Sequence, residues 1–156
     1  MYTFHMLKLH QKAPTFTLHD QHDIAHSLEQ YLGKKVLIYF YPKDDTPGCT
    51  TEACSFRDNY EALTESGLVV LGISKDDVKS HKKFADKFDL PFPLLADIDT
   101  TVSQAYGVWG LKKFMGREYM GISRSSFLID EKGNIEKIYE TVKPAEHVAE
   151  VSKDIV

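Results

Sequence analysis

Apolar positions fall into two regimes along this chain: short near-continuous runs, and stretches where they recur every three or four residues. Val36 to Tyr41 and Leu68 to Ile73 are runs of the first kind, which predicts strands buried on both faces of a sheet, with the first of them central. Between them Ala53, Phe56, Tyr60 and Leu63 recur at helical spacing, predicting one helix over roughly Pro47 to Ser66, closed by Gly67. At about 100° per residue Cys49 joins that apolar face, whereas Cys54 falls beside Asp58, Glu61 and Glu65. One thiol is therefore expected to be sheltered and the other nearer solvent.

The same alternation continues toward the C-terminus. Ser74 to Asp77 introduces a helix with Val78, His81, Ala85 and Phe88 at core spacing, where His81 reads as packing. Leu90-Pro91-Phe92-Pro93 breaks it; Leu94 to Ala96 predicts a short strand, and Thr100 to Tyr106 a short helix closed by Gly107. Val108-Trp109-Gly110 begins a loop. Ser125 to Ile129 and Ile135 to Tyr139 flank Asp130 to Asn134, a hairpin signal, and Pro144 starts a terminal helix. Near the N-terminus Phe16-Thr17-Leu18 reads as a short strand and Ser27 to Leu32 as a brief helical segment ending at Gly33. Strands and helices that alternate before a hairpin predict an α/β domain with a mixed central sheet and helices on both faces.

Composition narrows this picture. With 156 residues, 42% of them hydrophobic, the chain is expected to be one domain, residues 1–156, with a substantial core. A net charge of −4 gives no nucleic-acid footprint. The opening MYTFHMLKLHQK lacks an apolar run of signal-peptide length, and no stretch approaches a membrane span, so a cytoplasmic protein is expected. Two cysteines in a chain this long make no disulfide scaffold, and in a reducing compartment such a pair points to catalysis. His19, His22 and His26 resemble a metal-ligand cluster only in number; beside exposed Asp residues they read as a solvated loop, and neither a metal nor a cofactor is expected.

Candidate chemistry gathers in Pro42 to Cys54, PKDDTPGCTTEAC. Pro42 ends the strand pairing, and Thr46-Pro47 has the wording of a helix start: an N-cap hydroxyl followed by proline at the first helical position. Cys49 then lies in the first turn, where free backbone N–H groups and the positive end of the helix dipole favour an anion, and a thiolate is the nucleophilic form of a thiol. Thr46 is expected to accept from the Cys49 N–H. Glu52, nearby, is explained equally well by a solvated helix face. The spacing C-x4-C is neither the dithiol C-x2-C nor half of a zinc pattern. Five helical residues rise about 7.5 Å and separate the two Cα atoms by roughly 8 to 9 Å, whereas a disulfide needs less than about 7 Å. If the two cysteines pair, the helix start must first unwind.

The segment YFYPKDDTPGCTTEACSFRD resembles the active-site segment of the atypical two-cysteine peroxiredoxins of the PrxQ or bacterioferritin-comigratory-protein type. The likeness continues in order through VLGISKDD, LPFPLLAD, AYGVWG and SRSSFLID. It departs from the family at His10-Gln11-Lys12, where many members read Gly-Asp, and over Asp23 to His26. The resemblance implies a thioredoxin-like fold and reduction of hydrogen peroxide and organic hydroperoxides. In that chemistry Cys49 is the attacking thiol, Cys54 resolves its sulfenic acid to a disulfide, and Thr46 hydrogen-bonds the peroxide. Pro42 shields the thiolate from water, and Arg124 engages both sulfur and peroxide through its planar donors. Recycling would come from thioredoxin or a similar dithiol, with the protein a monomer or weak dimer. Ionisation alone does not suffice, because a thiol of pKa about 8.5 is already about 3% thiolate at pH 7, so full ionisation gains at most ~30-fold, about 2 kcal/mol. Two other readings stay open on the residues alone: a general dithiol oxidoreductase, disfavoured by the absence of C-x2-C, and a non-catalytic binding or holdase module that uses exposed aromatics.

Overall fold

The run Lys35–Phe40 forms β3, the middle strand of a five-stranded sheet, and every other element is placed by its relation to that strand. The computed structural model describes residues 7–155. The first six residues of the opening segment therefore lie outside what is described. Ahead of β3, β1 (Thr17–His19) pairs antiparallel with β2 (Ala25–Ser27), and a 3-10 turn follows over Leu28–Tyr31. After β3 come α1 (Pro47–Asp58), α2 (Tyr60–Glu65), β4 (Leu68–Ser74), α3 (Val78–Phe88), β5 (Leu94–Ala96) and α4 (Thr101–Ala105). Then β6 (Trp109–Phe114), β7 (Arg117–Ile122), β8 (Ser125–Ile129), β9 (Ile135–Tyr139) and α5 (His147–Asp154) complete the order.

The sheet runs β5-β4-β3-β8-β9. Strands β5, β4 and β3 are parallel, and β8 and β9 each pair antiparallel to the neighbour before them, so the sheet is mixed as expected. Because successive strand residues face opposite ways, β3 divides the core in two. Leu37 and Tyr39, with Tyr41 just beyond the strand, pack against Cys49, Ala53 and Phe56 of α1, Phe84 of α3 and Val148 and Val151 of α5. Val36, Ile38 and Phe40 pack against Leu71, Ile73, Phe127 and Ile129, covered by Phe16, Leu28, Val102 and Tyr106.

Four local expectations change. The single helix over Pro47 to Ser66 is two: at Asn59 the backbone departs from helical geometry (φ −110, ψ 7), and the Asn59 amide donates to the Ser55 carbonyl at 2.8 Å. A polar side chain that competes for backbone in this way explains the break. The segment that begins at Val108-Trp109-Gly110 is a hairpin instead of a loop. Its two-residue turn has Met115 at φ 52 and Gly116 at φ 79, the doubly positive geometry of a type I′ turn, which Met does not signal in sequence. The terminal helix starts at His147, since Pro144 to Glu146 form a preceding turn with the Glu146 N–H on the Lys143 carbonyl. The histidine-bearing loop is organised and not merely solvated. His26 puts Nε2 on Asp20 Oδ2 at 2.7 Å and Nδ1 on the Tyr31 hydroxyl at 2.6 Å, while Asp20 also accepts from the His22 and Ile24 amides. No helix among the described residues is long and apolar enough to cross a membrane.

Candidate active site

Strand β3 ends at the sheet's upper edge and hands the chain to α1 through Tyr41 to Thr46, so the first turn of α1 lies over the ends of the central strands. Thr46 is the N-cap residue and Pro47 the first helical residue, as expected from the sequence. The cap is made differently from expectation. Thr46 forms no side-chain bond to the helix; its Oγ1 donates to the Lys43 carbonyl at 2.8 Å, and the first helical bond runs from the Thr50 N–H to the Thr46 carbonyl.

Cys49 is 2% exposed, and Cys54, on the same helix, is half-buried; both are free thiols. Both positions lie inside α1, so the helical separation of roughly 8 to 9 Å between their Cα atoms applies. Arg124, between β7 and β8, brings its guanidinium to this turn. Its Nη2 donates to Cys49 Sγ at 3.3 Å and its Nη1 to Glu52 Oε1 at 2.8 Å. Gly48 makes room for it: a Cβ there would stand 3.0 Å from Nη2. Pro42 is half-buried, four residues before Thr46 on the connection from β3 to α1. The structure therefore places Cys49 and Arg124 in direct contact, with Thr46 at the start of the same helix and Cys54 on a different face of it.

Glu52 is a residue that the sequence leaves open between the site and a solvated helix face. It is 0% exposed, not part of a solvated face. The signal was present in the helical spacing, since Glu52 lies three residues after Cys49 and four before Phe56, on the buried stripe. Burial pushes its carboxyl up to about 7, with Arg124 opposing part of that shift by charge and hydrogen bond. The pair is lopsided. Burial also works against the Arg124 charge, yet the Cys49 sulfur and the Glu52 carboxylate outweigh it and the guanidinium ends above its ordinary value. Arg124 keeps 18% side-chain exposure and so some hydration, whereas Glu52 has none. Among the described residues Glu52 Oε2 has no hydrogen-bond partner, and neither does the buried Tyr39 hydroxyl, whose ionisation is suppressed by burial and then by the Glu52 and Cys49 charges.

Lys112 escaped sequence reading, because it lies on the unforeseen hairpin. Its Nζ donates to the Ile122 carbonyl at 3.0 Å, two residues before Arg124. Burial lowers its pKa and the Arg124 charge lowers it further, with Cys49 opposing. Among the described residues, one group has donor atoms close enough to hold a metal ion: Asp44, Asp76 and His81, with those atoms within 4.8 Å of one another. These atoms already have partners. His81 Nδ1 meets Asp44 Oδ2 at 2.7 Å and Nε2 meets the Leu95 carbonyl at 3.0 Å, and Asp76 Oδ2 accepts from Ser74 Oγ at 2.6 Å. His81 is packing, as expected, and is also the anchor of a buried polar cluster.

A buried cysteine at a helix start, in contact with a cation that is itself braced by a carboxylate, can present a sulfur nucleophile and stabilise negative charge that develops beside it. Residues 9–138 match the model of the AhpC/TSA family. A putative peroxiredoxin bcp of Coxiella burnetii is 54% identical over 145 residues, covering 93% of this chain and 96% of that protein. Peroxiredoxin Bcp of Bacillus subtilis is 49% identical over 144 residues, 92% of each. Among solved structures, a bacterioferritin comigratory protein of Xanthomonas campestris, studied for alkyl peroxide reduction, superposes with a TM-score of 0.85 at 35% identity, covering 90% of this chain and 89% of that one. A mutant of PrxQ from Xylella fastidiosa superposes with a TM-score of 0.91 at 31% identity, covering 98% and 97%.

Proposed function

The chain belongs to the AhpC/TSA family as a peroxiredoxin of the Bcp kind, with the family's thioredoxin-like fold, and on that premise we propose that Cys49 reduces hydrogen peroxide and organic hydroperoxides. The observation that carries the assignment is the Arg124 guanidinium, which spans Cys49 Sγ and Glu52 Oε1 from two separate nitrogens. The Cys49 thiolate attacks one peroxide oxygen; an S–O bond forms, the O–O bond breaks, and the other oxygen leaves as alkoxide and takes up a proton to give the alcohol, or water from hydrogen peroxide. Sulfur loses two electrons and becomes a sulfenic acid. Arg124, a permanent cation with several donors, stabilises the thiolate beforehand and the departing oxygen during cleavage. The Thr46 hydroxyl orients the peroxide, and Pro42, which has no N–H, keeps water from the sulfur.

Cys54 then attacks the sulfenic sulfur, releases water and forms the Cys49–Cys54 disulfide, which thioredoxin or a similar dithiol reduces. Its half-buried position leaves it reachable once the helix start opens. The enzyme works as a cytoplasmic monomer or weak dimer. Peroxide-dependent oxidation of thioredoxin tests the assignment. Cys49→Ser is expected to abolish it with the fold retained, and turnover retained in that variant would move the chemistry elsewhere.

A further inference from the structure

One peptide group connects a buried acidic cluster to the Thr46 hydroxyl. The Asp44 N–H donates to Asp76 Oδ2 at 2.9 Å, and the carbonyl across the same peptide bond, that of Lys43, accepts from Thr46 Oγ1 at 2.8 Å. The peptide bond is planar and its N–H and C=O point in opposite directions, so whatever fixes one fixes the other. Asp76 Oδ2 is clamped in turn by Ser74 Oγ at 2.6 Å, at the buried end of β4. The Asp44 side chain is held as firmly. It accepts from the Tyr41 hydroxyl at 2.6 Å and from Ser80 Oγ at 2.8 Å, and meets His81 Nδ1 at 2.7 Å. The next residue, Asp45, sits at φ 55, a left-handed turn that brings Thr46 back over the Lys43 carbonyl.

A hydroxyl has one proton. With that proton committed to the Lys43 carbonyl, Thr46 Oγ1 presents only lone pairs to a ligand. An organic hydroperoxide has one O–H donor and hydrogen peroxide two, and Arg124, at the same turn, offers only donors. The acceptor that completes the pattern is Thr46, provided its hydroxyl does not rotate. We propose that Asp76, which lies on another strand-to-helix connection, is a positioning residue for peroxide reduction: it acts through the Lys43–Asp44 peptide group to aim the lone pairs of Thr46 Oγ1 at the bound hydroperoxide. The inference rests on the peroxidase reading above.

The test compares two reactions of Cys49 in the full chain: the second-order rate with hydrogen peroxide, and the rate of alkylation by iodoacetamide, which needs no peroxide hydrogen bond. Asp76→Ala is expected to slow the peroxide reaction about tenfold, the loss of roughly one hydrogen bond's worth of orientation, while alkylation stays within about twofold. Asp76→Asn keeps an acceptor oxygen and should restore the peroxide rate. Asp76→Glu keeps the charge but displaces the acceptor; it should show the same selective loss, so the conclusion does not depend on Asp76→Ala folding. In a Thr46→Val background Asp76→Ala should cost nothing more, because the group it positions is gone. Equal slowing of both reactions, or losses from Asp76→Ala and Thr46→Val that multiply, would overturn the role. Failure of the unmodified protein to consume peroxide would instead sink the peroxidase reading.

Discussion

At the scale of single residues, one guanidinium makes the two contacts on which the proposed chemistry rests. Arg124→Lys keeps a cation but replaces two separate nitrogens by one ammonium, which cannot hold Cys49 Sγ and Glu52 Oε1 in the same geometry. The peroxide rate is expected to fall about 10²-fold, the scale for loss of one preorganised donor. Near-native kinetics in a stopped-flow peroxide assay would reduce Arg124 to scaffold. Glu52 makes a separate prediction about stability. Its folded carboxyl titrates near 7 against an ordinary value of 4.5, mainly because of burial. Between those values the folded state binds more protons than the unfolded one, so stability is greatest below the lower value and falls as pH rises. The loss is complete above about pH 7 and amounts to about 3 kcal/mol. Glu52→Gln should flatten that slope in urea melts compared between about pH 5 and about pH 8, while slowing peroxide reduction because Arg124 loses its charged brace. An unchanged slope would mean that Glu52 is not the group that titrates.

At the scale of elements, the proposed cycle gives α1 two incompatible jobs. Intact, it holds Cys49 against Arg124 and keeps the two thiols roughly 8 to 9 Å apart at Cα; closing a disulfide requires less than about 7 Å. If Cys54 resolves Cys49 as proposed, the oxidised protein must have lost helix between them. Amide exchange over Thr50 to Arg57 is expected to be faster in the disulfide form than in the dithiol form, with Val36 to Phe40 protected in both, since those residues lie in the middle strand of the sheet. Cys54→Ser should consume one equivalent of peroxide, accumulate Cys49 sulfenic acid and stall with thioredoxin. Exchange that does not respond to oxidation, together with normal cycling of Cys54→Ser, would remove the resolving role from Cys54. The break at Asn59 suits the proposed opening: the segment that would unwind ends near a discontinuity already present, and α2 can stay docked through Leu63.

At the scale of the whole molecule, both cores share one sheet, so they are expected to fail together. Phe56→Ala on one face and Phe127→Ala on the other should each cost about 3–5 kcal/mol. Trp109 fluorescence and far-UV circular dichroism should report a single coincident unfolding transition in both variants. Separate midpoints would show the two faces to be independent units. The amino-acid sequence by itself determined the parts of this protein that depend on local periodicity and chemistry: the buried strands at Val36 to Tyr41 and Leu68 to Ile73, the Asp130 to Asn134 hairpin, the helix start at Thr46-Pro47, and a sheltered Cys49 beside a more accessible Cys54. Each is written in neighbouring residues, through strand alternation, helical spacing or turn composition. Only the tertiary structure decided the rest. Arg124 meets Cys49 across 75 positions and Glu52 across 72. The Lys112 hairpin turns on a Met whose side chain carries no turn signal, and the Asp76 carboxylate reaches Thr46 through a peptide plane 32 residues away. Such contacts depend on how β3, β4 and β8 bring their ends together at one edge of the sheet, a distance relation that no short window of sequence contains.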